Sequence, residues 1–406
     1  MLEIKDLKTV LIEMSKQNGK TINMLNHALV KNECVSMIAV NNSYLTVNVG
    51  NIPDCFLNID NFKKTGNLQA STLSFEESGF NPEEYPADLD IENPKTEELP
   101  PDIFSVNFQQ LGKYASTDQM RKTLNGVYFN PDRNELCATS GHVLITKKLE
   151  TEFSTPFIIA PHSFKILDIL APYIEGANII IEEKKDKKYI QIYGDGFTFT
   201  SQCLEEPYPD YNKVIPEPDS DLSVILSPET VKQLIAGLNT LLPYTHSKTY
   251  HMCVLQHNTI FCHYNNARIG VRLDQNIALN KYKDISLHID VDVISFNTKL
   301  FLQFLQDAFT GESITLNYGP TNVYATTIQN GKQRVLIMPL SIKNKDDEYP
   351  DWLSKPIEYL EVKPMKAVKK KTVKVDKVTE KLILSLQEKL GKKTLINKLK
   401  DLDDLL

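Results

Sequence analysis

The sequence predicts an α+β chain built from three similar helix-plus-sheet domains and a helical tail. Three observations predict it. Amphipathic helical stripes open three stretches of comparable length, each stretch later passes from a strand into a second helix, and the composition changes after Ile342. The breaks fall where proline and acidic residues gather, in ENPKTEELPPDI near position 100 and EPDSD at 217–221, both read as linkers. The predicted domains are therefore 1–102, 103–219 and 220–343, with 344–406 as tail.

In the first domain Leu7, Val10, Leu11 and Met14 share one helical face, and CFLNIDNFKK at 55–64 reads as a strand running into a short second helix. The second domain opens with Phe108, Leu111 and Ala115, and FIIAPHSFKILDILAPYI at 157–174 repeats the strand-to-helix passage. The third opens with Val231, Leu234, Leu238 and Leu241 behind the N-cap pair Ser227-Pro228, and LHIDVDVISFNTKLFLQFLQDAF at 287–309 follows. Local echoes support a repeat: NMLNHALV at 23–30 against KTLNGVYF at 122–129, and EEYPAD at 83–88 against PYPDY at 207–211. In the tail, residues 362–377 are lysine-rich and read as a solvated linker. Val378, Leu382, Leu386 and Leu390, then Leu395, Leu399 and Leu402, predict one or two amphipathic helices beyond it.

Composition sets limits on function. With 41 % apolar residues the chain has enough to fill globular cores. MLEIKDLK carries charges with no apolar stretch behind it, and no run approaches a membrane span, so a cytoplasmic protein with no membrane partner is expected. Six cysteines lie scattered without a CxxC or a Cys/His cluster at ligand spacing, which predicts reduced thiols and neither metal nor cofactor. The net charge of −7 speaks against nucleic acid only if the basic groups are dispersed. The apolar run RVLIMPLSI at 334–342 ends around a proline, which cannot donate to a sheet ladder; Met338 and Leu340 are thus free either to enter a core turn or to wall a groove.

TDQMRKTLNGVYF, ELCATSGHVLITKKL, FIIAPHSFKIL and FTFTSQCLEEPYPDYNKVIP, in this order and spacing, resemble the middle domain of the bacterial DNA polymerase III beta subunit, the DNA sliding clamp. RVLIMPLSI resembles the strand that ends that family's chains. The likeness is good over residues 104–343 and weaker over 1–102, where the second half of the domain looks abbreviated between Lys64 and Tyr85; the tail from 344 has no counterpart. Such departures look like those of a divergent clamp, with a phage as one source, in which case the host cytoplasm is its compartment.

The resemblance implies a ring of two chains, a homodimer joined head to tail, with helices lining a hole around duplex DNA and antiparallel sheets outside. It implies three partners: double-stranded DNA held without regard to sequence, a replicative DNA polymerase and a clamp loader. A protein held topologically needs only a basic inner surface that meets phosphates without reading bases. Candidates on the first helices and adjoining loops are Lys8, Lys16, Lys20, Lys113, Arg121, Lys122 and Lys232, with Lys165 and Lys299 on the second helices. Lys122 and Thr123 stand where the family often has aromatic residues, so contact by charge is expected rather than stacking.

The resemblance also implies a groove for a partner's peptide. The middle domain would give it Leu124, Thr139, Gly141, His142, Val143 and Leu144, and the domain boundary Pro209, Lys213 and Val214. Tyr250, Asn297, Leu300, Pro320 and Asn322 would come from the third domain, and Leu336, Ile337, Met338, Pro339, Leu340, Ser341 and Ile342 from the last strand. Val143 and Ser341 replace basic residues common in the family, so the partner peptide should differ from the bacterial one. Two other readings stay open. One is an open or monomeric processivity factor that uses its basic tail on DNA. The other is a nuclease or hydrolase, although GxSxG, HExxH and P-loop motifs are all missing and no catalytic residue is assigned.

Overall fold

In the second and third domains each strand-to-helix passage in the sequence becomes part of one recurring unit, β-α-β-β-β, whose first strand joins a sheet different from that of its last three. The structure is a computed structural model. It describes residues 2–19, 23–86, 89–205, 207–216, 222–245, 252–265, 267–275, 277, 282–285, 288–340 and 357–359. The chain divides into two units, Met1–Leu360 and Glu361–Leu406, and every described residue belongs to the first. Lys20, Tyr250, Ser341, Ile342, the break at 217–221, the lysine-rich segment and the leucine-spaced tail lie outside the described residues.

Domain 1 contains helix α1 (Ile4–Asn18), strands β1 (His27–Lys31), β2 (Cys34–Ala39), β3 (Ser43–Asn48) and β4 (Cys55–Asn58), helix α2 (Ile59–Thr65), the short β5 (Thr72–Leu73) and helix α3 (Phe75–Ser78). Leu7, Val10, Leu11 and Met14 are all buried, as their spacing predicts. The abbreviation is real: after α2 the chain makes the two-residue β5 where the other domains make three full strands. Phe75, Phe80 and Tyr85 from this short segment cover the outer face of β1 and β4 instead, around Phe56.

Domain 2 runs β6 (Pro94–Leu99), α4 (Phe108–Gly112), β7 (Val127–Asn130), β8 (Glu135–Thr139), β9 (Val143–Lys148), then β10 (Phe157–Ile159), α5 (Pro161–Leu170), β11 (Gly176–Glu182), β12 (Lys187–Gly194) and β13 (Phe197–Gln202). Two expectations need correction. The segment read as a linker near position 100 is partly β6, which pairs with β11 from Leu99↔Ala177 to Pro94↔Glu182. An edge strand tolerates proline at its first position and exposed Lys95 and Glu98 along its length, and such side chains hide the backbone pairing from a reading of composition. The opening stripe is also shorter than predicted: α4 ends at Gly112, and Ala115 lies buried beyond it.

Domain 3 follows the same plan: β14 (Ser223–Leu226), α6 (Pro228–Leu241), β15 (Met252–Gln256), β16 (Thr259–Tyr264), β17 (Ala267–Arg272), the small hairpin β18 (Tyr282–Asp284) and β19 (Ile289–Val291), then β20 (Val293–Asn297), α7 (Thr298–Ala308), β21 (Ile314–Asn317), β22 (Thr326–Asn330) and β23 (Gln333–Ile337). A last strand, β24 (Ile357–Tyr359), lies beside β17.

Domains are joined by continuous sheets. A nine-stranded sheet runs β5-β4-β1-β2-β3-β13-β12-β11-β6 and crosses from domain 1 to domain 2 at β3 and β13. An eight-stranded sheet runs β10-β7-β8-β9-β23-β22-β21-β14 and crosses from domain 2 to domain 3 at β9 and β23. The five-stranded sheet β20-β15-β16-β17-β24 belongs to domain 3.

The helices form a row of their own. The neighbours are α2 with α1, α1 with α5, α5 with α4, and α7 with α6, while α4 and the residues after it reach α7 through Gln110 Nε2 to Asp307 Oδ1 at 2.9 Å and Tyr114 Oη to Asp307 Oδ2 at 2.7 Å. Asp168 of α5 accepts the Phe108 and Gln109 amides at 2.6 and 2.9 Å and so caps the start of α4. Gly112 is needed for close approach, since a Cβ there would stand 2.6 Å from the Phe164 ring. Sheets on one side and helices on the other enclose one core through all three domains.

Candidate nucleic-acid and peptide interfaces

Apolar faces of α1, α6 and α7 pack on the sheets, so their exposed residues face away from them. Lys232 and Lys299 are exposed there, Lys113 is exposed just after α4, and Lys8 is half-buried near Gly66. Among the described residues these four take part in no ion pair, which leaves their charge for an outside anion. Lys16 and Lys165 differ. Both hold Glu13, at 2.7 and 2.6 Å, and Lys165 does so across the α1–α5 contact. Burial pushes the Glu13 carboxyl up, but the two lysines outweigh it and hold it below its ordinary range.

Acids on these helices are mostly committed to helix contacts: Asp168 and Asp307 as described, and Asp6 as acceptor from Tyr173 Oη at 2.7 Å. The helix layer therefore ties Asp6, Glu13, Asp168 and Asp307 into internal contacts, while Asp60 and Glu229 are exposed. A net charge of −7 is thus compatible with exposed lysines gathered on these helices. Lys5, Lys63 and Lys64 also lie on α1 and α2, and the apolar spacing of those helices does not single them out in the sequence.

The remaining two cations sit elsewhere. Arg121 pairs with Asp118 at 3.0 Å, and a Cβ on Gly141, whose φ of +87° suits glycine, would lie 3.0 Å from Arg121 Nη1. Arg121, Lys122, Leu124 and Pro209 line one open cleft of about 770 Å³, together with Met120, which is 91 % exposed, and Tyr208. The structure thus brings two residues proposed for DNA beside two proposed for the groove.

The floor of the expected groove follows from strand alternation. Leu144 of β9 and Leu336 of β23 are register partners and point to the outer sheet face. They form a small cluster there with Cys137, Ala325 and Tyr211, against which Tyr128, Tyr208 and Ile215 pack. Tyr208 stacks on Tyr128 with ring centroids 4.6 Å apart. Tyr211 donates its hydroxyl to Glu135 at 2.8 Å and receives Asn130 Nδ2 at 2.8 Å, which fixes the segment 207–211 over the sheet. Desolvation, with Cys137 and Glu135 nearby, pushes the Tyr211 hydroxyl well above its ordinary pKa.

Near members of this cluster in the chain are exposed apolar side chains: Val214 three residues after Tyr211, Tyr324 before Ala325, and Met338, which is 38 % exposed, two residues after Leu336. Gly141, His142, Pro209, Lys213 and Pro320 are exposed, Leu124 and Thr139 nearly buried, and Asn297, Leu300, Asn322 and Leu340 half-buried. Thr139 Oγ1 donates to Val143 O at 2.6 Å and holds the hairpin that carries Gly141 and His142. Beyond β23, Pro339 is buried, and the Leu340 amide bonds Ser295 O of β20 at 2.9 Å, so the chain turns from one sheet to the next at the proline. Pro320 O accepts the Lys283 amide at 2.9 Å, and Asn297 caps α7 through the Leu300 amide at 3.1 Å.

Two groove assignments are corrected. Val143 and Ile337 are register partners whose side chains enter the main core, at 7 % and 1 % exposure, because the pleat sends alternate residues to opposite faces. Tyr208, Tyr211 and Tyr324 lie at this surface without being singled out by the sequence, where PYPDY stands out only as a repeat echo. Its counterpart Tyr85 likewise covers an outer sheet face, where its hydroxyl donates to His27 O at 3.0 Å.

Among the described residues no group of three or more His, Cys, Asp and Glu side chains could hold a metal ion, and no helix is long and apolar enough to cross a membrane.

No family model matches the chain. It is 25 % identical over 193 residues to the beta sliding clamp of Borreliella burgdorferi, covering 45 % of this chain and 47 % of that protein. To the beta sliding clamp of Bacillus subtilis it is 26 % identical over 175 residues, 41 % of this chain and 45 % of that one. In sequence the chain thus matches about half the length of these curated relatives. The structural likeness is longer. The DNA polymerase III beta chain of Streptococcus pneumoniae superposes with a TM-score of 0.64 at 18 % identity, over 83 % of this chain and 98 % of that one. The beta subunit from Thermotoga maritima gives 0.61 at 18 %, over 84 % and 99 %. The chain has the fold of these beta subunits.

Proposed function

We propose that this chain is a divergent sliding clamp, a processivity factor for DNA polymerase that works by holding duplex DNA rather than by catalysing a reaction. The observation that carries the reading is the single row of helices, α2-α1-α5-α4-α7-α6, with Lys8, Lys113, Lys232 and Lys299 outside any ion pair among the described residues and sheets running continuously behind it. A row of this kind meets phosphates through mobile ammonium groups and offers no fixed donor pattern to base edges, so it binds all sequences alike and lets the duplex slide. Two such chains would close around DNA as a homodimer, placed there by a clamp loader. The outer cluster of Leu144, Leu336, Tyr208 and Tyr211, rimmed by Met338, Tyr324 and Val214, would take an apolar peptide from the replicative polymerase.

The test is primer extension on a long primed template by the replicative polymerase of the same organism. Product length per binding event should rise when the chain and its loader are added, and unchanged product length would remove the reading. A second reading, an open single-chain factor, is favoured by one observation: after α2 domain 1 makes the two-residue β5 where the other domains make three full strands. The mass of the chain in solution separates the two.

A further inference from the structure

At both joints between domains the same parts meet. The last strand of one domain's first half pairs antiparallel with the last strand of the next domain's second half, β3 with β13 and β9 with β23. The helices of the same two halves meet beside them, α1 with α5 through Glu13 and Lys165 at 2.6 Å, and α4 with α7 through Gln110 and Asp307 at 2.9 Å. In a ring of two such chains the third joint falls between domain 3 of one copy and the second half of domain 1 of the other, and there the pattern is altered on both sides. In domains 2 and 3 the domain's own last strands close the end of the second-half helix. The Glu175 amide after α5 bonds Tyr193 O of β12 at 2.9 Å, and Asn330 of β22 and Gln333 of β23 donate to Ala308 O and Asp307 O at the end of α7 at 2.8 and 2.9 Å. Domain 1 follows α2 with only the two-residue β5, and the end of α2 borders an open cavity of about 620 Å³ instead. Leu2, Ile4, Leu7, Val49, Ile52 and Leu68 line it, and Ile4 is 60 % exposed. On the other side of the joint, the place beside β17 that the pattern gives to a joining strand holds Ile357–Tyr359 of the same chain, parallel, from Arg268↔Ile357 to Gly270↔Tyr359.

We propose that the two alterations complement each other: in the homodimer the end of the domain 3 sheet, lengthened by β24, seats on the apolar cavity in domain 1 of the second copy. One added strand carries the sheet about 4.8 Å further out from β17. It thereby supplies from one chain a cover that domain 1 of the other does not make for itself among the described residues. The joint is then held by side-chain packing on the cavity in place of a continuous ladder, because domain 1 has no full last strand to pair. Two observations make a second copy the occupant. The repeat puts the end of the domain 3 sheet at this joint, next to the half of domain 1 that holds the cavity. Charge agrees, since Lys63 and Lys64 stand exposed in the last turn of α2 beside the cavity and Glu358 is exposed on β24. Two-fold symmetry forms the joint twice in each ring. The inference rests on the homodimer reading and states what its joint is made of.

The experiment uses the full-length chain without DNA or loader. Ile4→Glu puts a charge into the cavity at a side chain that is 60 % exposed in the single chain, and Glu358→Lys reverses the charge on β24 with the backbone left intact. Mass is followed by light scattering across concentration, and thermal unfolding is recorded at low concentration. The unmodified chain should dimerise. Ile4→Glu should raise the concentration for half-dimerisation about tenfold or more and Glu358→Lys about threefold or more, both with unchanged unfolding. A photo-reactive benzoylphenylalanine in place of Ile4, in a mixture of isotopically light and heavy chains, should crosslink to the peptide containing residues 357–359 of the other isotope. Either variant dimerising like the unmodified chain would overturn the proposal. So would an Ile4→Glu chain that fails to fold, which would make Ile4 part of its own domain's core, or crosslinks confined to one isotope, which would mean that the cavity is filled from within the same chain. A monomeric unmodified chain would remove the ring and this joint together, whereas a dimer that ignores both variants would remove the joint alone.

Discussion

Replacing Met338 with alanine separates a groove rim from a core strand, because three successive residues of one chain segment have three different surroundings. Leu336 is 3 % exposed in the outer cluster, Ile337 is 1 % exposed in the main core, and Met338 is 38 % exposed at the rim. Full burial of a methionine or leucine side chain stabilises by about 1.5–3 kcal/mol. About three-fifths of Met338 is already covered, so its truncation should lower folding stability by roughly 1 kcal/mol, since an open rim leaves no sealed cavity. Leu336→Ala and Ile337→Ala, which do leave cavities, should each cost about 2–5 kcal/mol. For partner binding the order reverses. A peptide that covers the exposed part of Met338 at the centre of its contact should lose roughly 1–2 kcal/mol on truncation, or about five- to thirtyfold in Kd. Urea denaturation gives the first quantity, and titration with the C-terminal peptide of the cognate polymerase gives the second. Met338→Ala that binds as well as the unmodified chain while fully folded would refute the groove, and a stability loss equal to that of Leu336→Ala would make Met338 a core residue.

Other outcomes follow from the helix contacts. Asp307→Ala strands the hydroxyl of fully buried Tyr114 and should cost about 2–3 kcal/mol, whereas adding Tyr114→Phe removes the orphaned group; denaturation of both single variants and the double should show costs well below additive. Stability should fall with acid in two overlapping steps. Burial holds His162 at about 4, so the unfolded state takes up its proton first, and stability present above about pH 6.5 is lost as pH falls toward 4, by on the order of 3 kcal/mol. Glu13, held low by its lysines, adds a loss at lower pH, below the ordinary range of an unfolded glutamate. His162→Gln should flatten the upper step in pH-dependent denaturation and leave the lower one. Lys113→Glu with Lys232→Glu should weaken binding to unrelated duplexes equally and reduce the slope of log K against log salt by about 2, measured by anisotropy.

What was legible followed from periodicity. The stripes Leu7–Met14 and Val231–Leu241 fixed α1 and α6 because one helix face must be apolar to meet a sheet. The shortened domain 1 was visible as missing residues between Lys64 and Tyr85. What was not legible depends on pairing at a distance. The exposed charges of β6 read as a linker, since a strand paired along one edge needs no apolar side chain to hold its place. Val143 and Ile337 were placed in the groove by resemblance to a motif, which does not state which way each residue of a strand points. Tyr208 and Tyr211 cover leucines about sixty and one hundred and twenty-five residues away, a relation set by the sheet crossing at β9 and β23 and by nothing local. The three residues of β24 carry no strand signal of their own.

The central claim is that the chain holds DNA by surrounding it. The most direct measurement loads labelled chain with its loader onto nicked circular duplex, isolates the complex at a salt concentration that abolishes ordinary lysine–phosphate binding, and then cuts the circle once. The account predicts that the chain stays on the circle through the salt wash and leaves within the time needed to slide off an end once the DNA is linear. A chain lost from the intact circle at that salt, or retained equally after linearisation, would contradict it.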